Sequence, residues 1–314
     1  MAVTQEMPPR SGLRTDTPAT RRRAGRGREG LMGALMVSPA VLLLLVFFFV
    51  PVLLCFALAF TNARLISPEP TTIIGFENFT RLFGDPVFWK SLRNTFYFAV
   101  VVVPLQSGFA LLLALLISAK VRGVIFFRTM YFVPVVTSIV VVSILWRFMY
   151  QSDGLVNNLL GSLTFNVVQG TDWLNNPTAA MPAIMFMSIW QAVGFHMVIW
   201  LSGLQTIPGE LYEAAQLDGA GKWDQFRYVT WPGLKATRTF ILVTITIAAL
   251  SLFAQINVMT QGGPLDRTST MVFQAVRVGY GQQETAYAST ISLVFFVLVL
   301  MVSLVQRYLT RERG

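Results

Sequence analysis

The chain has 314 residues, 54% hydrophobic and 12% charged, with a mean hydropathy of +0.60. A soluble domain carries about 25% charged residues, and here the charges also cluster, which argues against a cytosolic enzyme and for a polytopic membrane protein. The net charge of +9 would suit a nucleic-acid binder, but 7 of the 24 basic residues lie between Arg10 and Arg28, where they orient a membrane protein, and no later basic domain could grip a duplex.

Residues 1–30 are predicted to form an Arg-rich, disordered cytoplasmic segment, and residues 31–314 a transmembrane domain. The apolar run after Gly30 is far longer than the roughly 7–15 residues of a signal-peptide core, so it is expected to be retained as a first helix. Crossing about 30 Å of hydrocarbon takes about 20 apolar residues as a helix. Six stretches satisfy this, predicting spans near 34–60, 95–118, 129–149, 180–204, 239–258 and 286–306. A further charge-free gap, 154–171, fails on composition, because ten of its 18 residues are Gly, Asn, Gln, Ser or Thr. It reads as an aqueous loop. An even number of spans puts both termini on one side. With the N-terminus inside, the cytoplasmic segments hold 17 Lys and Arg against 7 outside, the bias that places both termini in the cytoplasm. The expected fold class is thus an all-α integral membrane protein with six transmembrane helices, outer loops at 61–93 and 150–179, and an inner loop at 206–236.

The spans contain no Asp, Glu or Lys. Proton- and ion-coupled carriers need a titrating relay in the membrane, and hydrolysis or phosphotransfer there needs paired carboxylates, a metal or an activated nucleophile. Both classes are disfavoured. One cysteine, Cys55, and one histidine, His196, supply neither a disulfide framework nor a multi-ligand metal site. What the spans do hold is neutral hydrogen-bonding and stacking groups. Trp190, Gln191 and His196 lie in span four, and Gln255 and Asn257 in span five. A path lined in this way suits a neutral sugar or polyol. The same groups would equally serve as contacts between helices.

In the inner loop, Pro208 pre-sets a first-turn dihedral, and Glu210 and Glu213 suit the positive end of a helix dipole. Ala214, Ala215 and Leu217 continue a short helix that Gly219 and Gly221 break. A second short helix from Trp223 is expected to end before Pro232. Such a knob could enter a groove on a partner or lie on the bilayer surface.

The run Glu213-Ala214-Ala215, then Asp218-Gly219-Ala220, then Phe226, Val229 and Pro232 resembles the "EAA" loop of ABC-importer membrane subunits. Gly75-Phe76, Asn78-Phe79, Asn94-Thr95, Pro134, Gly154, Asn157 and the run Thr260-Gln261-Gly262-Gly263-Pro264 look like its carbohydrate branch, the maltose, lactose and glycerol-3-phosphate type. The chain departs from that pattern at Asp224, where Gln is common, at Trp231, where Leu is usual, and at Ala254, where many relatives have Asp.

The resemblance implies a type I importer permease fold in a bacterial cytoplasmic membrane, and a chain that catalyses nothing itself. Glu213 would bind a basic residue of a cytoplasmic ATPase dimer, Ala214 and Ala215 would permit close packing, and Gly219 would supply the turn. Asp218, Ala220, Phe226 and Pro232 complete that coupling loop. ATP and Mg would be bound by the separate ATPase and no cofactor by this chain. The only Gly-Lys pair, Gly221-Lys222, is followed by Trp223 and makes no phosphate-binding loop. A second permease would supply the other half of the path, and an extracytoplasmic binding protein would deliver the solute near Gly262, Gly263 and Pro264. A glycerol-3-phosphate importer is the nearest alternative. An intramembrane lipid-modifying enzyme and a passive facilitator are more distant ones.

Overall fold

The structure, a computed structural model, describes residues 26–67, 70–118, 124–165 and 170–310. The Arg-rich segment lies outside these residues as far as position 25. The chain divides into two units, one ending at Leu54 and the other beginning at Cys55.

The first unit is helical. Helix α1 (Arg26–Leu44) passes through a π-turn at Leu45–Phe49 into α2 (Val50–Leu58), and the stretch Met32–Leu58 is long and apolar enough to cross a membrane. The π-turn has a local cause. The Val50 N–H bonds back to the Leu45 carbonyl, so the register slips by one residue just ahead of Pro51. Proline has no N–H to donate, and its ring clashes with the carbonyl four residues earlier. A single π-turn moves that carbonyl aside while the helix continues.

From Cys55 on, the chain continues as α3 (Glu77–Gly84), α4 (Pro86–Ser118), α5 (Val124–Val136), α6 (Ile139–Met149), α7 (Leu155–Leu163) and α8 (Ala180–Gln205). Then follow α9 (Gly209–Leu217), α10 (Lys222–Gln225), α11 (Trp231–Gly233), α12 (Lys235–Leu250), α13 (Ala254–Met259), α14 (Met271–Val276) and α15 (Thr285–Thr310). Among the described residues the only β pairing is an isolated bridge between Thr61 and Ile73. Among the described residues, five helical stretches are long and apolar enough to cross a bilayer, or six if the bent pair α5–α6 counts as one.

Helices α4 and α8 run side by side in the same direction. Near their starts Phe98 and Val102 pack with Met181 and Ile184, and near their ends Ala110 and Ala114 pack with Met197 and Trp200. Helix α12 returns antiparallel, bringing Ile241 and Ile245 to the second cluster and Leu250 to the first. Apolar driving force between helices is weak in lipid, so small residues that allow close approach carry the packing. Gly194 of α8 abuts the Tyr131 carbonyl of α5, and Gly203 abuts the Thr237 side chain of α12, where a Cβ would collide.

Two expectations need correction. The predicted span 129–149 is broken at Thr137-Ser138, with its halves bent by 97°. Pro134 inside α5 removes one ladder bond, and because α5 stops at Val136, its last carbonyls also lose their helical donors and are taken up by side chains. Thr137 Oγ1 donates to the Val133 carbonyl at 3.1 Å and Gln191 Nε2 to the Pro134 carbonyl at 3.3 Å. The predicted span 239–258 lies within one membrane-length stretch, Lys235–Met259, whose helix has a short non-helical break between Leu250 and Ala254. Helix α4, expected from residue 95, starts at Pro86 because Asp85 Oδ1 accepts the Val87 N–H at 2.8 Å and caps the start. Its 33 residues span about 50 Å, well beyond the hydrocarbon.

Candidate functional site

Residues 206–236 form a structured knob between α8 and α12. Helix α9 starts after Pro208 and ends in a complete Schellman cap. The Ala220 N–H bonds to the Ala215 carbonyl at 2.9 Å and the Gly219 N–H to the Gln216 carbonyl at 3.0 Å, with Gly219 at φ +82°. A side chain at that left-handed position would be strained, so glycine closes the helix. Gly221 has an ordinary φ of −69° and begins α10. Its N–H donates to Asp224 Oδ2 at 3.2 Å, so the unusual Asp224 acts as a capping residue.

The second helix does not end before Pro232, as expected, but continues to Gly233. A π-turn at Phe226–Thr230, closed by the Trp231 N–H on the Phe226 carbonyl, steps the register just ahead of the proline. This is the same device as at Pro51. The two halves of the knob are joined by a 3.0 Å hydrogen bond between the Tyr212 and Thr230 hydroxyls. Phe226 packs on the α4/α8/α12 core beside fully buried Leu234. Opposite this anchor, Glu213, Ala214, Leu217, Asp218 and Gly219 are exposed, and Ala215 and Ala220 are half-buried. Among the described residues Glu213 forms no ion pair or side-chain hydrogen bond.

The five path candidates do not converge on one point. Gln191 is committed to the broken helix through Pro134. His196 is 5% exposed and joined to Gln106 of α4 by a 3.0 Å bond between Nδ1 and Nε2, with the Ala192 carbonyl 3.1 Å from the same ring nitrogen. Trp190 is partly exposed and lies against Trp146, ring centroids 5.3 Å apart. Gln255 and Asn257 sit on α13, which packs on α6 and beside α8. Asn257 is exposed, Gln255 is half-buried, and no side-chain hydrogen bond occupies either among the described residues.

At the end of the bundle opposite the knob, the Gly262-Gly263-Pro264 loop is locked to the start of α4. Asn94 Nδ2 donates to the Asp266 and Ser269 carbonyls, each at 2.9 Å, and the Ser91 and Ser269 hydroxyls meet at 2.9 Å. The Met271 N–H donates to Thr95 Oγ1 at 3.0 Å, and Thr268 Oγ1 donates to the Gly263 carbonyl at 2.6 Å. Gly262, at φ +84°, lies so near the Phe273 ring that a Cβ would come within 2.6 Å of it. Thr268, Ser269 and Thr270 are fully buried. Sequence reasoning missed this run of three hydroxyls: Ser269 meets Ser91 across 178 residues of chain, while Thr268 and Thr270 bond to the Gly263 and Leu252 carbonyls, and no periodicity marks such irregular pairings.

A bundle of membrane-length helices, one of its spans broken and bent, with a structured knob between α8 and α12, defines a multi-pass membrane protein of the transport-permease type. The chain belongs to the family of binding-protein-dependent transport system inner membrane components, whose pattern matches residues 18–313. It is 36% identical over 286 residues to the lactose transport system permease protein LacF of Rhizobium radiobacter, covering 90% of this chain and 94% of the relative. It is 33% identical over 287 residues to the trehalose/maltose transport system permease protein MalF of Thermococcus litoralis, covering 91% and 96%. Among solved structures, a chain of a bacterial ABC transporter involved in import of the acidic polysaccharide alginate has the same fold. It superposes with a TM-score of 0.78 at 24% identity, covering 92% of this chain and 98% of that one.

Proposed function

We propose that this chain is the permease subunit of an ATP-driven importer, forming half of the translocation path for a sugar or related polyol. The observation that carries the reading is the knob, in which a short helix presents Glu213 and Ala214 to solvent, Phe226 and Leu234 tie the knob to the helices that must move, and the Tyr212–Thr230 bond joins its two halves. A rigid lever with an unpaired carboxylate at its tip suits a cationic groove on a cytoplasmic ATPase dimer. On this reading the knob end and both termini are cytoplasmic, the chain crosses a bacterial plasma membrane six times, and α5–α6 is one bent span. ATP and Mg belong to the ATPase.

The family's dependence on binding proteins and the sugar-transporting relatives support the remaining assignments. An extracytoplasmic binding protein delivers the solute at the opposite end, where Gly262, Gly263 and Pro264 are held, and a second, similar permease completes the path. Asn257 and Gln255 have unengaged amides, so these meet the solute, with Gln191, His196 and Trp190, whose ring lies against Trp146, fixing the helices around them. ATP-driven movement of the knob then switches the path between its two openings.

Glu213→Lys tests the coupling. Reversing the charge on an exposed side chain leaves insertion and folding intact, and solute uptake by cells expressing the variant is expected to fall to background. Normal uptake at wild-type membrane abundance would remove the lever from the account.

A further inference from the structure

At the end opposite the knob, a cup of about 270 Å³ is lined by Arg93, Asn94, Tyr97, Thr178, Pro182 and Arg267. The side chains of Arg93 and Arg267 are exposed and form no ion pair or hydrogen bond among the described residues. The nearby carboxylate of Asp266 is already held by Arg277 at 2.9 Å. The cup therefore offers two uncompensated guanidinium groups, a phenol and a hydroxyl.

Directly beneath it, sharing Tyr97 and Pro182, runs an apolar groove of about 470 Å³ between α4 and α8. The sequence builds the pair of cavities as one stripe. Arg93, Tyr97, Val101, Leu105, Phe109 and Leu113 recur every four residues along α4, a stripe that winds about 40° around the helix at each step. The groove's other wall comes from Pro182, Phe186, Ile189 and Val193 of α8. From Arg93 to Leu105 the stripe descends about 18 Å, the depth from a headgroup to the middle of a bilayer.

We propose that the cup and groove together bind one anionic phospholipid, with its phosphate between Arg93 and Arg267 and its acyl chains along Leu105 and Phe186. A carboxylate alone would leave the groove unexplained, and a wholly apolar occupant would leave the two cations unpaired. The phosphate satisfies both guanidinium groups through charge-assisted hydrogen bonds, and the chains cover the exposed apolar side chains below. This inference rests only on the chain spanning a bilayer, not on what it transports.

The test is native mass spectrometry of the full chain, purified in mild detergent with its natural subunits and supplied with phosphatidylglycerol or phosphatidylcholine. The wild type is expected to retain phosphatidylglycerol about tenfold better or more, since each basic group at a lipid surface contributes roughly fivefold. The double variant Arg93→Gln, Arg267→Gln should lose that preference while keeping the wild-type melting temperature in phosphatidylcholine. Leu105→Trp, which fills the groove and leaves the cup intact, should lower retention of both lipids. Equal retention of the two lipids by the wild type, or an undiminished preference in the double variant, would overturn the proposal. So would a melting shift with glucuronate but none with phosphatidylglycerol, which would make the cup a site for free acids. Loss of a second permease from the Leu105→Trp complex would overturn it as well, by making the groove a subunit interface.

Discussion

Asn94 shows how a single amide can hold a loop in place. Its Nδ2 reaches two carbonyls that no helix or strand satisfies, at Asp266 and Ser269. Removing the amide strips the Ser269 carbonyl of its side-chain donor and leaves the Asp266 carbonyl with only the 3.3 Å bond from the Ser269 N–H, a loss of about 1–3 kcal/mol. Asn94→Ala is accordingly expected to lower the apparent melting temperature of the detergent-solubilised protein, and to expose residues 260–270 to proteolysis before the rest of the chain opens. An unchanged melting profile would mean that the loop is held by Gly262 against Phe273 and not by the amide. The pairing Asn94-Thr95 stands out in the sequence, but its reason does not. A hydrogen bond across more than 170 residues leaves no periodic trace, whereas Gly219, whose left-handed turn is a local requirement, can be read directly from its place after Glu213-Ala214-Ala215.

Among the elements, the spans were legible because hydrocarbon demands long, charge-free runs, and α8 lies within a residue of its predicted bounds at 180–204. The breaks were not legible. Pro134 sits within α5, yet the chain turns three residues later, where Thr137 and Gln191 can satisfy the stranded carbonyls. Where the helix bends is thus decided by a side chain from another helix. Similarly, Pro232 reads as a stop, but a π-turn before it lets the helix go on.

The two possible roles of Gln191 make opposite demands on experiment. As a cap on the Pro134 carbonyl, its replacement in Gln191→Leu should cost about 1 kcal/mol, the scale of interhelical hydrogen bonds in membranes, and leave the KM for uptake unchanged. As a residue that contacts solute, it would raise KM and leave thermal stability alone. The 3.3 Å bond to Pro134 favours the first outcome, and transport kinetics beside a melting curve separate the two.

At the scale of the whole molecule, charge and apolar surface are divided between the two ends and the middle. The knob exposes Glu210, Glu213, Asp218 and Asp224 beside Lys222 and Arg227, and the other end exposes Arg93 and Arg267. The helices between them leave large side chains such as Leu105, Phe109, Phe186 and Phe296 uncovered. Apolar surface of this extent marks contact with a membrane or with other protein. The exposed Glu213 carboxylate, unpaired among the described residues, suits the multi-subunit importer proposed above. The most direct test is to purify the tagged chain from its native membrane in mild detergent and identify what accompanies it. The account requires a nucleotide-binding ATPase, a second multi-span permease and an extracytoplasmic binding protein, with the ATPase lost from the Glu213→Lys preparation. Recovery of the chain alone, from cells that express such partners, would contradict it.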